Sequence, residues 1–172
     1  KKTTFSISIS AADKSSITSL RLPSSYIAIA IGGEWPYRTY DKWVEVIEEL
    51  LVYDYNSNIV IIGSGNATEM SKKITDRFAS KRLFNLVNQF SFCQTTEIIK
   101  NASLVICCDG GLMHAANASK KIIIVLLARL SVEMQLTKLS KCFEIYDESN
   151  VNNIPVKKVF QKYKEAIKSL EL

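Results

Sequence analysis

Short apolar runs recur along the chain, and each is followed by a segment with helical spacing of its apolar residues. The runs cover residues 26–31 (YIAIAI), 58–63 (NIVIIG), 83–87 (LFNLV), 104–108 (LVICC), 121–127 (KIIIVLL) and, more weakly, 142–146 (CFEIY). Because most are apolar at consecutive positions, they predict strands buried on both faces. Such strands, alternating with amphipathic helices, predict an α/β domain with a doubly wound parallel sheet and helices on both faces.

Polar residues that can cap a helix N-terminus precede several of the helical segments. The predicted helices follow Asp41 (to Tyr53), Asn66 (to Ser80) and Thr95 or Thr96 (to Ser103), with two more over 112–119 and from Pro155 onward. The predicted strands and helices thus form a repeating strand, loop and helix unit.

Residues 1–25 are rich in serine, threonine and lysine and differ from the rest. They contain one alternating piece, FSISIS at 5–10, and room for a short helix before Pro23. This pattern is typical of a linker or an edge strand rather than of a core. We therefore predict a linker or edge segment over 1–25 and one domain over 26–172.

All six glycines follow a predicted strand. They are Gly32, Gly33, Gly63, Gly65, Gly110 and Gly111. In doubly wound sheets, ligands bind beyond the carboxyl ends of the strands, where loops lead into helix N-termini. Glycine lets the backbone approach a ligand closely, and the unpaired N–H groups at a helix start favour an anion. The glycines therefore predict a small ligand that carries phosphate.

Three side chains are candidates for chemistry at this edge. Asp109 ends a predicted strand, and His114, the only histidine, falls in the first turn of the next helix, where the helix dipole disfavours its cationic form. Arg38, in the loop GGEWPYRTYDKW at 32–43, provides a planar donor fork suited to phosphate. The alternatives are a turn cap for Asp109 and a buried structural role for His114. The aromatic residues of the loop either flank a base or cover the core.

Several other classes of site lack their sequence patterns. No GxxxxGK[ST] or GxSxG element occurs, and Gly63-Ser64-Gly65 without a third glycine is only a weak dinucleotide fingerprint. Adjacent Cys107 and Cys108 face opposite sides of a strand, so the cysteines are predicted to be reduced thiols rather than disulfides or zinc ligands. We predict no metal site.

The net charge of +5 owes much to lysines near the C-terminus, Lys157, Lys158, Lys162, Lys164 and Lys168. With an apolar stripe opposite them, these lysines predict the solvated face of a helix. A membrane-surface or nucleic-acid patch is the alternative. We predict no nucleic-acid partner. With no signal peptide or membrane-length apolar run, we predict a cytoplasmic location, with the lysine-rich helix as a candidate contact to the anionic inner face of the bacterial inner membrane.

The sequence from about residue 26 to the end resembles the C-terminal half of glycosyltransferase family 9, the lipopolysaccharide heptosyltransferases. Residues 109–116 (DGGLMHAA) are similar to the family's Asp-(Ser/Thr)-Gly-x-x-His-x-Ala element. Arg38 and Trp43 match a basic residue followed by an aromatic one, and 63–65 match a Gly-x-Gly turn after a strand. The resemblance implies a Rossmann-like domain, one half of a GT-B glycosyltransferase.

The resemblance also implies residue roles. Asp109 would contact the donor sugar, the backbone of Gly110 and Gly111 would hold the diphosphate, and His114 would lie near the same phosphates. Arg38 would neutralise charge as the nucleotide leaves, so that Arg38, Asp109 and His114 form the implied catalytic set. The other implied donor-binding residues are Gly33, Glu34, Gly63, Gly65 and Glu69.

The implied reaction transfers a heptose or related sugar, with inversion and without a metal or cofactor, from a nucleotide-sugar to a lipopolysaccharide core or related glycan. ADP-heptose is the typical donor. The family's N-terminal domain, which supplies the acceptor surface and the catalytic base, has no counterpart in this chain, so the isolated domain is expected to bind nucleotide better than it transfers sugar. Gly110, where the family has Ser or Thr, leaves donor identity open. The alternatives are a UDP-sugar epimerase or hydrolase-like domain and a non-catalytic nucleotide-binding module.

Overall fold

The apolar runs form the strands of a single sheet in the computed structural model, which describes residues 6–170. The strands are β1 (Tyr26–Ala30), β2 (Asn58–Ile62), β3 (Leu83–Asn85), β4 (Leu104–Cys108), β5 (Ile122–Ala128) and β6 (Cys142–Asp147). Their order is β3-β2-β1-β4-β5-β6, and every neighbouring pair is parallel. The predicted doubly wound parallel sheet is therefore confirmed.

Helices cover both faces of this sheet. They are α1 (Ala11–Thr18), α2 (Trp43–Tyr53), α3 (Thr68–Arg77), α4 (Phe92–Asn101), α5 (Gly111–Ala118), α6 (Val132–Gln135) and α7 (Val156–Lys168). Three 3-10 turns lie at Pro36–Arg38, Gly65–Ala67 and Val151–Asn153. The strand order reverses between β1 and β4, and such a reversal opens a crevice at the carboxyl edge of a sheet.

The sheet separates two apolar clusters, which explains why its strands are apolar at consecutive positions. Ile27 and Ile29 of β1 pack into one cluster with residues of α2, α3 and α7, whereas Ala28 and Ala30 pack into the other with residues of α1, α4 and α5. Successive strand residues point to opposite faces, so a central strand covered on both sides must be apolar throughout.

The described part of the N-terminal segment, residues 6–25, contains α1 and no strand. The edge-strand alternative for FSISIS is therefore wrong over residues 6–10, while Phe5 lies outside the described residues. Ser10 instead starts a helix, since its Oγ accepts a hydrogen bond from the Asp13 N–H at 3.1 Å. Ile17 of this helix is buried in the α4 and α5 cluster. The division of the chain at residue 25 stays a prediction.

The predicted cap of α2 is wrong. α2 begins at Trp43, and its N-cap residue, Lys42, makes no side-chain capping bond. The backbone N–H of Asp41 donates to Asn152 Oδ1 at 2.8 Å, which fixes the chain just before the helix.

The predicted caps of α3 and α4 are also wrong. Asn66 does not cap α3, which follows the turn Gly65–Ala67 without a side-chain cap. α4 begins four to five residues earlier than predicted, at Phe92, because Ser91 and Gln94 form a reciprocal capping box. Its hydrogen bonds are 3.2 Å (Gln94 N to Ser91 Oγ) and 3.1 Å (Ser91 N to Gln94 Oε1). The Ser-x-x-Gln spacing was a readable signal for this start.

The C-terminal helix has the predicted amphipathic character. Val159, Tyr163 and Ala166 of α7 are buried, while Lys157, Lys158, Lys164 and Lys168 are exposed. Lys162 pairs with Glu165 at 2.7 Å. None of the described helices has the length and apolar character that a membrane span needs.

The four cysteines are free thiols, as predicted, and Cys107 and Cys108 are buried. Burial raises the pKa of the Cys108 thiol to about 12 and that of Cys107 well above its ordinary value. Both therefore stay protonated near neutral pH and are poor nucleophiles. Within residues 6–170, no three His, Cys, Asp or Glu side chains are grouped so as to hold a metal ion.

Candidate functional site

A cleft of about 480 Å³ opens at the carboxyl edge of the sheet, where the strand order reverses. The loops after β1, β2 and β4 form most of its walls. The residues that line it include Ile31–Glu34, Arg38, Gly63, Ser64, Asn66, Cys108–His114, Leu130 and Gln135. Most of the predicted site residues are among them, and only Gly65 and Glu69 lie outside.

Arg38 and Asp109 meet within this cleft. Arg38 Nη1 donates to Asp109 Oδ2 at 2.8 Å, and Arg38 Nη2 lies 3.7 Å from Glu34 Oε2. The Asp109 side chain is only 10% exposed and that of Arg38 is 22% exposed, whereas Glu34 is 78% exposed. The hydrogen bond to Asp109 raises the pKa of Arg38, against a smaller lowering by burial. The ion pair between Arg38 and Asp109, which is shielded from solvent, is therefore the stronger one. The exposed Glu34 contributes little to holding Arg38.

Asp109 does not cap the turn into α5. The N-cap of that helix is Gly110, with no side-chain capping bond. The alternative of a turn cap is therefore wrong for Asp109, whose carboxylate faces the guanidinium of Arg38 instead.

His114 is an exposed residue that lines the cleft, one turn into α5. The alternative of a buried structural histidine is therefore wrong. Its position near the positive end of the helix dipole agrees with the sequence-based expectation.

The start of α5 forms one wall of the cleft with backbone groups. The first N–H groups of a helix have no acceptor within it, and the residues that carry them here, Gly111 and Leu112, both line the cleft. A Cβ atom at Gly110 would have no neighbour within 4 Å, so open space lies beside the backbone there. This wall suits an anion that approaches the helix start.

Gly32, Gly33 and Gly63 have a different role. A Cβ at Gly63 would lie 2.5 Å from the Ile31 carbonyl oxygen, and one at Gly33 would lie 2.4 Å from Thr39 Oγ1. Gly32 has a φ of +105° and would place a Cβ 2.9 Å from that of Ala67. These glycines let protein segments pack against each other, whereas Gly110 faces open space. The expectation that the glycines serve ligand approach stays a prediction.

Asn66 is a cleft residue that the sequence interpretation assigned to helix capping. Its Nδ2 donates to the Gly33 carbonyl at 3.1 Å, and its Oδ1 accepts from Ser64 Oγ at 2.9 Å. Asn66 thus ties the loop after β2 to the loop after β1. Leu130 and Gln135 also line the cleft and were not predicted, since nothing in the local sequence marks them.

Gly65 and Glu69 are not brought into the cleft. Glu69 is 84% exposed and its Oε1 accepts from Lys73 Nζ at 2.8 Å, a hydrogen bond that lowers the pKa of Glu69. The nearest atom to a Cβ at Gly65 belongs to Asn88. Their donor-binding roles stay predictions.

The aromatic residues of the Arg38 loop were predicted either to flank a base or to cover the core, and they differ in burial. Tyr40 is buried edge-on against Trp43, with ring centroids 5.2 Å apart, and its hydroxyl donates to the Ile154 carbonyl at 3.0 Å. Trp35 is 56% exposed. Tyr40 therefore covers the core, and Trp35 stays accessible at the surface.

Comparison with known proteins supports the resemblance in the motifs. The sequence profile described as glycosyltransferase family 9 (heptosyltransferase) matches residues 1–150. The match thus includes the first 25 residues and ends before α7, whereas the motifs predict a resemblance from about residue 26 to the end. No curated protein sequence matches the chain.

Several solved structures share the fold. Heptosyltransferase II of E. coli, described as an ADP-heptose lipopolysaccharide heptosyltransferase, superposes with a TM-score of 0.79 at 21% identity, over 97% of this chain and 54% of that chain. The E. coli heptosyltransferase WaaC with ADP gives 0.68 at 17% identity, over 83% and 44%. The UDP-GlcNAc 2-epimerase of Methanocaldococcus jannaschii gives 0.65 at 16% identity, over 90% and 42%.

These structural similarities establish the α/β Rossmann-like fold, and the chain spans about half the length of the heptosyltransferases that it matches. The family itself is established by the profile, which covers most of the chain and includes all the motif residues in the cleft. The chain therefore belongs to glycosyltransferase family 9.

Proposed function

We propose that this chain is the donor-binding domain of a glycosyltransferase that transfers a heptose or related sugar from a nucleotide-sugar. The observation that carries the proposal is the cleft in which Arg38, Asp109 and the start of α5 meet. Its volume of about 480 Å³ lies within the range typical of small-molecule sites.

The diphosphate of the donor would lie between the α5 N-terminus and Arg38. The backbone N–H groups of Gly111 and Leu112 would bind phosphate oxygens, since a helix start carries partial positive charge. Arg38 would add a guanidinium whose fork matches two oxygens. His114 would lie beside the same phosphates, one turn further along α5.

This arrangement suits the chemistry of a leaving nucleoside diphosphate. Negative charge grows on the diphosphate as its bond to the sugar breaks, and fixed donors aimed at that charge stabilise the transition state. Arg38 and the helix start would provide this stabilisation without a metal ion. Asp109, opposite Arg38, would accept a hydrogen bond from a hydroxyl of the sugar.

ADP-heptose is the proposed donor, and inversion at the anomeric carbon the proposed outcome. Support comes from the family and from the fold shared with the E. coli ADP-heptose lipopolysaccharide heptosyltransferase II. The second candidate is a UDP-sugar epimerase or hydrolase-like domain, favoured by the fold shared with the UDP-GlcNAc 2-epimerase. The third is a nucleotide-binding module without a reaction of its own.

The acceptor, a lipopolysaccharide core or related glycan, and the catalytic base would come from a second domain. The chain covers 54% of E. coli heptosyltransferase II, which leaves room for such a domain in the whole enzyme. We further propose a cytoplasmic location, with the exposed lysines of α7 as the contact to an anionic membrane face.

Calorimetric titration of the chain with ADP and with UDP tests the proposal. We expect saturable ADP binding that weakens about tenfold to a hundredfold in Arg38→Ala, as expected when a charge-assisted hydrogen bond is lost. Arg77→Ala is the matched control, because it removes an arginine paired with a carboxylate, Glu48, outside the cleft lining. Preference for UDP would favour the epimerase-like alternative. Absence of binding by a folded sample would overturn the proposal.

A further inference from the structure

Arg129 has an unfavourable backbone conformation at the carboxyl end of β5. Its φ is +70°, and the Leu130 N–H donates to the Ala128 carbonyl at 2.9 Å, so Arg129 is the central residue of a γ-turn with positive φ. This turn is rare and strained for residues other than glycine. Arginine has no side-chain group that eases this conformation, whereas glycine would adopt it freely.

The side chain of Arg129 has a specific contact. Its Cζ lies 3.7 Å from the ring centroid of Tyr37, and its Nε donates to the Ser149 carbonyl at 3.4 Å. Among residues 6–170, no carboxylate forms an ion pair with it. The aromatic ring is therefore the main partner of this cation.

Tyr37 and Arg38 belong to the same 3-10 turn, Pro36–Arg38. Arg38 lies close to the same ring, with its Cζ 6.0 Å from the centroid. Beyond this turn the loop is bound to Asn152, which donates to the Thr39 carbonyl at 3.0 Å and accepts from the Asp41 N–H at 2.8 Å. Arg129 thus holds the N-terminal part of the loop and Asn152 holds the part that follows Arg38.

We propose that Arg129 is a positioning residue that fixes the Arg38 guanidinium in the cleft by stacking on Tyr37. The consequence for ligand binding rests on the proposed function. The strained turn directs a long cationic side chain from β5 onto the loop that follows β1. Glycine at this position would relieve the strain and remove the contact.

The first test needs no nucleotide. NMR resonances of the Arg38 guanidinium, assigned by their loss in Arg38→Lys, report whether that group is held or rotates freely. We expect separate, slowly exchanging signals in the wild type and in Tyr37→Phe, which keeps the ring. In Arg129→Gly and Tyr37→Leu, which keep the hydrogen bond from Arg38 to Asp109, the signals should exchange measurably faster than in the wild type. Unchanged Arg38 signals in Arg129→Gly would overturn the proposal.

Lys120→Gly is the matched control. Lys120 is also an exposed, non-glycine residue with positive φ, +55°, but it lies after α5 and does not line the cleft. Both glycine variants should keep or raise the melting temperature, because both relieve the backbone. Only Arg129→Gly should change the Arg38 signals. That difference would show that Arg129 acts on the position of Arg38 rather than on overall stability.

The second test measures ADP binding. Arg129→Gly should weaken it about two- to fivefold, as expected for the loss of an exposed cation–π contact, and should have no further effect in an Arg38→Ala background. An equal loss in that background would mean that Arg129 contacts the nucleotide itself, which would overturn the positioning role. If the wild type binds no ADP, the proposed function fails, while the Arg38 spectra still decide the positioning role.

Discussion

The two walls of the cleft are built in different ways. On one side, β4 runs directly into α5, so Asp109, Gly111 and His114 are placed by two regular elements and the turn between them. On the other side, Arg38 lies in a loop between β1 and α2 that is held by residues distant in sequence, Asn152 and Arg129. Substitutions in the first wall should therefore affect only the contacts that the replaced residue makes with a ligand. Substitutions in the second wall should affect ligand binding by moving the loop that carries Arg38.

The largest expected effect is on stability, and it compares a glycine packed against the backbone, Gly63, with a glycine that faces open space, Gly110. Gly63→Ala should destabilise the fold by about 2–3 kcal/mol, because its Cβ would lie 2.5 Å from the Ile31 carbonyl oxygen and 2.7 Å from the Ala67 Cβ. Gly110→Ala, whose Cβ meets nothing within 4 Å, should stay within about 0.5 kcal/mol of the wild type. Urea unfolding measures both. Equal destabilisation would contradict the different roles of the two glycines.

The next effect tests how the Arg38 loop is anchored. Asn152→Ala removes two hydrogen bonds to that loop and should cost about 1–2 kcal/mol of unfolding free energy while weakening ADP binding. Asn58→Ala is the control, since Asn58 Nδ2 bonds the Ser25 carbonyl at the amino end of β2, remote from the cleft. Asn58→Ala should lower stability without changing affinity. Loss of ADP affinity in both variants would show that stability alone governs binding.

A smaller effect tests the contact between the two walls. Asp109→Asn keeps the shape of the side chain and removes the charge that occupies Arg38 at 2.8 Å. We expect ADP to bind about two- to tenfold more tightly. In the wild type, the Arg38 guanidinium must give up its ion pair with Asp109 to bind the phosphates, and in the variant that ion pair is absent. Calorimetry measures the change, and Glu34→Gln is the control, since that carboxylate is 78% exposed and 3.7 Å away. Weaker ADP binding in Asp109→Asn would mean that Asp109 chiefly orients Arg38.

The smallest effect concerns the pH dependence of the turn under the Arg38 loop. Hydrogen bonds from the backbone N–H groups of Asn150 and Ser149 lower the pKa of Asp147 to about 2. A carboxyl group whose pKa is lowered on folding contributes stability above its unfolded pKa, near 4, and loses it as the pH falls through the folded value. The melting temperature should therefore decline between pH 4 and pH 2. The decline should be shallower in Asp147→Asn.

Local sequence patterns were sufficient to predict the wall formed by β4 and α5, but not the wall formed by the Arg38 loop. The apolar run of β4, its terminal Asp109 and the glycines before α5 are adjacent in sequence, so strand, turn and helix were predictable together. The partners of the Arg38 loop were not, because Asn152 and Arg129 lie more than ninety residues away and carry no pattern of their own. The strand predicted at residues 5–10 is absent over residues 6–10, where only Ser10 takes part in a regular element, as the N-cap of the helix that begins at Ala11.

The charges at the cleft also bear on how an anion reaches it. Two carboxylates, Glu34 and Asp109, stand against the one guanidinium of Arg38, while the exposed lysines of α7 belong to a helix outside the cleft lining. Long-range attraction accelerates association only when the net charge near a site opposes that of the ligand. We therefore expect the proposed ligand, a nucleoside diphosphate, to encounter this cleft at an ordinary diffusional rate with little dependence on ionic strength. Its residence time, set by short-range contacts with the helix start and Arg38, would determine affinity.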